Sequence, residues 1–292
     1  MRMHEGEADI ESTVVRRLLE VQFPELAQLP IRPVESMGTV NVIFRLGDDL
    51  CVRLPRLEEG DWSLEREWTW LPRLAPHLPL GIPKPVAMGH PTSWYPFCWA
   101  IYQWIDGAPY ADDLVDDECD VARDLGRFVA AMRSMERAKD APRAGRRPLR
   151  ELDDVTRKAI KAANDVIDAD AALAAWERAL EAPAWDGTAV WIHADLLRPN
   201  LLIREGRLSA VIDFGSVGVG DPATDIIPAW SVFGPNGREV FRNELDVDDD
   251  TWNRARGIAL HQAALIIPYY RLTNPGFVEL AERTVKEIIM DL

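Results

Sequence analysis

Three polar side chains, Asp195, Asn200 and Asp213, fall within a short span bounded by apolar runs. Two belong to His193-Ala194-Asp195-Leu196-Leu197-Arg198-Pro199-Asn200, and the third opens Asp213-Phe214-Gly215. Phosphoryl transfer needs little covalent help from a protein, but it does need a positioned acceptor hydroxyl and cations bridging the phosphates. One carboxylate must face the acceptor. A second carboxylate and a neutral amide oxygen suit magnesium, a hard cation that shares its shell with phosphate. Asp195, Asp213 and Asn200 supply that set. Taken singly, each is equally well read as an Asp or Asn that satisfies backbone groups in a turn. Both motifs together, in order and each at a strand end, favour the chemical reading.

The elements that must hold these groups follow from periodicity. Ala189 to Ile192, Leu201 to Ile203 and Leu208 to Ile212 are short β-rich runs, the last two separated by Glu205-Gly206-Arg207. Gly220-Asp221-Pro222 then opens a helix, with Asp221 as its cap and Asp225 as a buried anchor. Upstream, Val14, Val15, Leu18, Leu19 and Val21 follow a helical period that stops at Pro24. Val40 to Leu46 and Leu50 to Leu54 read as a hairpin around Gly47-Asp48-Asp49. Leu64, Trp68, Leu71 and Leu74 restore a helical period, with Asp61 or Ser63 available as a cap, and Pro96 to Ile105 reads as a buried strand. After Asp106-Gly107 the patterns are long and helical, over Val115 to Met135 and Asp154 to Ala182, while the basic stretch Pro142 to Arg150 reads as a mobile loop. The expectation is an α+β chain in two lobes. Residues 1–105 form a small lobe of antiparallel sheet plus helix, including a connector near Tyr102 to Ile105, and residues 106–292 form a larger, mainly helical lobe.

Composition bounds the partners. The 292 residues carry 48 Asp and Glu against 33 Lys and Arg, a net charge of −15, which disfavours nucleic acid. Acidic clusters at Asp112 to Asp120 and Glu244 to Asp250 would attract a cationic substrate, although charge runs are more often solvated faces. No stretch approaches the roughly 20 apolar residues that cross a bilayer, and the acidic start from Met1 to Asp9 is unlike a secretory signal, so no membrane partner and a cytoplasmic location are expected. Cys51, Cys98 and Cys119 are too few and too irregular for a disulfide framework or a zinc site and read as reduced apolar fillers.

His-x-Asp-x-x-x-x-Asn followed by Asp-Phe-Gly is the pattern of protein kinases. With Leu64-Glu65-Arg66-Glu67 and the run Gly220-Asp221-Pro222-Ala223-Thr224-Asp225, the sequence resembles the aminoglycoside phosphotransferase family, small-molecule kinases of protein-kinase-like fold, from about Pro33 to the C-terminus. The resemblance implies that Asp195 orients or deprotonates the acceptor hydroxyl and that Asn200 and Asp213 hold Mg2+. It places Arg53 where such folds carry a phosphate-gripping lysine, with Glu67 as helix partner and Glu65 as second choice; the alternative is an exposed arginine on an edge strand. It sets Ser36, Gly38 and Thr39 at the phosphate-covering loop, Val52, Leu202 and Ile212 against the base of ATP or GTP, and Gln103 to Ile105 as main-chain partners of that base. Trp230, His261, Tyr269 and Tyr270 fall where the family builds its acceptor pocket, although aromatics at helical spacing are more often core. Ala194 and Leu197-Arg198 depart from the family pattern: Arg198 either stands beside the phosphate path or forms a surface salt bridge. His193 is assigned to loop architecture.

The acceptor implied is a small-molecule hydroxyl, on an aminoglycoside-like antibiotic or alternatively on a macrolide, sugar, choline or amino alcohol. A catalytically silent nucleotide-binding protein is the reading from another class. A monomer or homodimer is expected.

Overall fold

The computed structural model describes residues 10–34, 41–57 and 59–292. Helix α1 (Ser12–Gln22) precedes a small-lobe sheet of β1 (Ile31–Val34), β2 (Asn41–Leu46), β3 (Leu50–Pro55), β4 (Pro85–Gly89) and β5 (Trp99–Gln103), with α2 (Glu59–Leu74) inserted after β3. The strands are all antiparallel in the order β1-β2-β3-β5-β4, so β3 is central. Period-two alternation on β3 divides its side chains. Val52 and Leu54 join α1 in the core of the small lobe, whereas Cys51 packs with Tyr102 and α2 residues in the larger core. Arg53 shares the Cys51 face. The expectation of Val52 at the nucleotide base is therefore corrected, because alternation turns it to the opposite side of the sheet.

Beyond β5 the chain is mainly helical: α3 (Glu118–Ser134), α4 (Asp153–Ala162), α5 (Ala169–Glu181), the short α6 (Pro228–Ser231), α7 (Pro235–Leu245), α8 (Asp249–Tyr270) and α9 (Pro275–Met290). Among them lie β6 (Ala108–Pro109), β8 (Leu201–Arg204) and β9 (Arg207–Val211) in one small sheet, and β7 (Val190–Ile192) paired with β10 (Gly218–Gly220). The fold is bilobal and protein-kinase-like. The helical run expected over Asp154 to Ala182 is broken into two. Asn164 and Asp165 compete with helical backbone bonding, and Asp168 starts α5 by accepting from the Ala171 N–H at 3.0 Å. Among the described residues no helix is long and apolar enough to cross a membrane.

A further correction concerns Pro142 to Arg150, which is docked rather than loose. The Val219 N–H donates to the Pro142 carbonyl at 2.8 Å, and the Ala144 N–H donates to the Val219 carbonyl at 3.1 Å. Two glycines permit this approach. A Cβ at Gly218 would stand 2.4 Å from the Pro142 carbonyl oxygen, and one at Gly220 would stand 2.3 Å from that of Ala144. Because the obstacle is backbone, it cannot rotate away. Gly220→Ala is expected to lower stability by about 1–3 kcal/mol, the usual cost of overpacking; urea unfolding indistinguishable from the parent would show that the segment is not seated on β10.

Candidate active site

The His193 to Asn200 loop leaves β7 under tight backbone control. Asp225, fully buried, accepts from the His193 N–H at 2.7 Å and the Ala194 N–H at 2.8 Å, one on each oxygen. The Asp195 N–H donates to His193 Nδ1 at 3.2 Å, so the ring proton lies on Nε2, which donates to the Ile212 carbonyl at 3.1 Å. Burial lowers the His193 pKa to about 4, keeping the ring neutral and structural. Ala194 takes a left-handed φ of 69°, a conformation that costs a residue with a Cβ and suits glycine. Asp221 caps the turn that follows β10, accepting from the Ala223 N–H, and pairs with Arg254 at 3.0 Å.

Asn200 fixes the His193 to Asn200 loop from within. Its Nδ2 donates to the Asp195 carbonyl at 2.8 Å and to Asp195 Oδ2 at 3.0 Å. With the amide nitrogen committed, the amide oxygen is the atom left for a cation. Asp213 follows β9 at a φ of 64°, tolerable for aspartate, and its side chain is 43% exposed toward the cleft. Among the described residues no three His, Cys, Asp or Glu gather as a self-sufficient metal cage. One carboxylate plus one amide oxygen nonetheless fits magnesium, which completes its shell from phosphate and water.

Arg53 joins the lobes. Its Nη1 donates to Glu67 at 2.7 Å and its Nη2 to Asp213 at 2.9 Å, while the Asn41 amide oxygen, turned toward the guanidinium, accepts from Nε at 3.0 Å. Glu67 also accepts from the Tyr102 hydroxyl at 2.7 Å and is wholly buried, whereas Glu65 is exposed. Burial opposes the charge on Arg53, but Glu67 and then Asp213 outweigh it and raise its pKa.

The two aspartates are driven apart. Burial, and next the charge of Asp213, push Asp195 up to about 6. Burial also works against Asp213, but the Arg53 guanidinium, charged and hydrogen-bonded to it, holds its carboxyl below the usual range. Their surroundings thus separate the two carboxyls, Asp195 raised toward neutrality and Asp213 kept an anion. Both face a cleft of about 450 Å³ whose walls include Asn41, Arg53, Arg66, Arg143, Arg146 and Ser216.

Several expected site residues lie elsewhere. Arg198 is corrected: it is buried, bidentate to Asp112 at 2.8 and 3.1 Å, bonded to the Val232 carbonyl at 2.8 Å and stacked on Tyr110. Three partners hold it in the scaffold, outside the cleft walls. Trp230 is core, wholly buried with its Nε1 on Asp291, and Tyr270 packs on Phe277 while Tyr269 is largely exposed. His261 is buried, its Nδ1 2.7 Å from the Thr156 hydroxyl. Leu202 and Ile212 are not displaced in this way: Leu202 is buried on β8 beside Gly107, and Ile212 is half-buried directly before Asp213. The Gln103 and Trp104 amides donate to Lys84 and Asp49, which removes Gln103 N–H as a partner for a base. Ser36, Gly38 and Thr39 lie outside the described residues. Sequence reasoning missed Gln262, which approaches the Asp195 carboxylate from the position after His261. It also missed Arg143 and Arg146, hidden in the stretch read as mobile.

A small sheet gripping a catalytic loop through a buried cation, above a helical lobe, defines the kinase-like class. The chain matches the model of the phosphotransferase enzyme family over residues 31–258 and belongs to that family. Among solved structures it resembles the GDP complex of aminoglycoside 2'-phosphotransferase-IIIa (TM-score 0.72, 15% identity, 97% of this chain and 99% of that one). It also resembles macrolide 2'-phosphotransferase MphH from Brachybacterium faecium (TM-score 0.57, 22% identity, 92% of this chain and 98% of that one). The streptomycin–ATP complex of APH(2")-IIa aligns at TM-score 0.60 and 17% identity, over 97% of each chain. No curated protein sequence matches significantly.

Removing one partner of the Arg53 pair strands a buried charge. Glu67→Ala is expected to cost about 3–5 kcal/mol, while Glu65→Ala, at an exposed position, should stay within about 0.5 kcal/mol of the parent. Equal effects in urea unfolding would refute the buried pairing.

Proposed function

We propose that this protein moves the γ-phosphate of ATP or GTP to a hydroxyl of a polyhydroxylated small molecule. The observation that carries this reading is the pair of aspartates, Asp195 and Asp213, with opposed pKa shifts on one cleft, linked to the small-lobe sheet by Arg53. The acceptor oxygen attacks the γ-phosphorus, the bond to the β-phosphate oxygen breaks, and the nucleoside diphosphate leaves with that electron pair. The hydroxyl proton goes to Asp195. Asn200 keeps the Asp195 carboxylate and main chain in register, and Gln262 approaches the same carboxylate. Asn200 and Asp213 would hold Mg2+, which when bound would offset charge on the phosphates. Arg53, its pKa raised by Glu67 and Asp213, supplies the fixed positive charge of the nucleotide side. Similar structures include aminoglycoside and macrolide phosphotransferases, and hydroxyl-rich acceptors of that size are the class this reading places before the base.

Asp195→Asn should lower kcat by about 10²–10⁴, the usual worth of a positioned base, with nucleotide affinity retained. Asp213→Ala should instead remove the magnesium dependence of nucleotide binding. The two variants separate in a coupled assay for nucleoside diphosphate release alongside nucleotide titration. Turnover of Asp195→Asn within a few-fold of the parent would discard the base assignment.

A further inference from the structure

The cleft carries a charge opposite to that of the whole protein. In a chain of net charge −15, its walls hold four arginines, Arg53, Arg66, Arg143 and Arg146, against two aspartates. Arg53 is engaged by Glu67 and Asp213, and Arg66 lies over Trp62 and donates to the Val217 carbonyl. Arg143 and Arg146 remain. Among the described residues neither has a hydrogen-bond or ion-pair partner, whereas surface arginines elsewhere, such as Arg123, Arg207 and Arg271, each sit on an aspartate. What sets these two apart is their place: both line the cleft, and among the described residues neither has a carboxylate within ion-pair distance.

These side chains are carried by an anchored main chain. Pro142 and Ala144 are bonded to Val219, and Gly145 packs against Thr224 and Ile192. Both arginines share the cleft with Asp195, and Arg146 acts on it directly. Arg146 is the positive charge acting on Asp195, and the charges acting on His261 are those of Arg146 and Arg147.

Neither acidic cluster lines the cleft, and several of their carboxylates are engaged elsewhere. Asp112 binds Arg198, Asp120 binds Arg207, Glu118 accepts from the Gly234 and Gly237 N–H groups, and Asp248 caps α8. An acceptor rich in ammonium groups would meet unpaired guanidiniums at the mouth of the site, a repulsion that selects against it. A carboxylate or phosphate would gain the fork geometry for which arginine is suited.

Resting on the phosphotransferase reading above, we propose that the acceptor is an anionic polyol or hydroxy acid, its carboxylate or phosphate held by Arg143 and Arg146 while a hydroxyl reaches Asp195. The transfer step is unchanged; the anionic group is a handle and takes no part in bond making.

The test uses the full chain saturated with Mg2+ and a non-hydrolysable ATP or GTP analogue, titrated calorimetrically with D-gluconate, D-glucose 6-phosphate, D-sorbitol and kanamycin. At least one anion should bind roughly tenfold or more tightly than sorbitol, and the double variant Arg143→Gln/Arg146→Gln should lose that preference while nucleotide affinity stays within about twofold. Preference for gluconate identifies a carboxylate handle, and preference for glucose 6-phosphate a phosphate handle. Sorbitol or kanamycin binding as well as both anions overturns the proposal, as does a double variant that weakens the nucleotide instead, which would give the arginines to the triphosphate. Failure of the analogue to bind with Mg2+ would strike the phosphotransferase reading itself and is seen before any acceptor is added.

Discussion

One guanidinium reconciles two lobes that are otherwise built separately. Arg53 projects from the central strand of the small sheet, takes Glu67 from α2 on one side and Asp213 from the large lobe on the other. Removing such a charge from water is expensive, and only close partners compensate for it. The arrangement therefore specifies several things at once: which turn of α2 faces the sheet, how the sheet sits over the loop after β9, and which carboxylate of the cleft remains an anion. Arginine suits this task because its fork reaches two acceptors at once and keeps its proton in a buried setting.

The same economy governs the loop that carries Asp195. Asp225 grips two successive main-chain N–H groups, His193 closes the turn with a neutral ring, and Asn200 braces Asp195 from the far end. Most of these contacts fall on the main chain around Asp195. The geometry is over-determined by neighbours, which is how a left-handed Ala194 persists where glycine would be relaxed.

Much of this was legible in the residues. Asp195, Asn200, Asp213, Arg53 and Glu67 could be named because their spacing is tied to strand ends and to one helix, and the structure bonds Arg53 to Glu67 and Asp213 and Asn200 to Asp195. The aromatic candidates on the later helices could not be sorted, because helical period alone does not tell a core face from a pocket face; Trp230 proved to be core. Arg198 was ambiguous for a related reason: its partners, Asp112 and the Val232 carbonyl, are distant in sequence. The stretch from Pro142 to Arg150 was misread because proline, glycine and charge signal irregular backbone but not whether another strand receives it. The clue was remote, in the two glycines of β10.

That docked segment is held through its main chain. Carbonyl and amide groups of Pro142, Ala144 and Val219 do the holding, and the glycines opposite need only a bare backbone. The side chains at positions 143 and 146 are consequently free of any duty to the fold. A lineage could exchange them for acids, aromatics or small residues and so alter what enters the site, while every anchor of the phosphate-handling machinery stays in place. Evolvability here is local, confined to an arm whose sequence the rest of the molecule does not read.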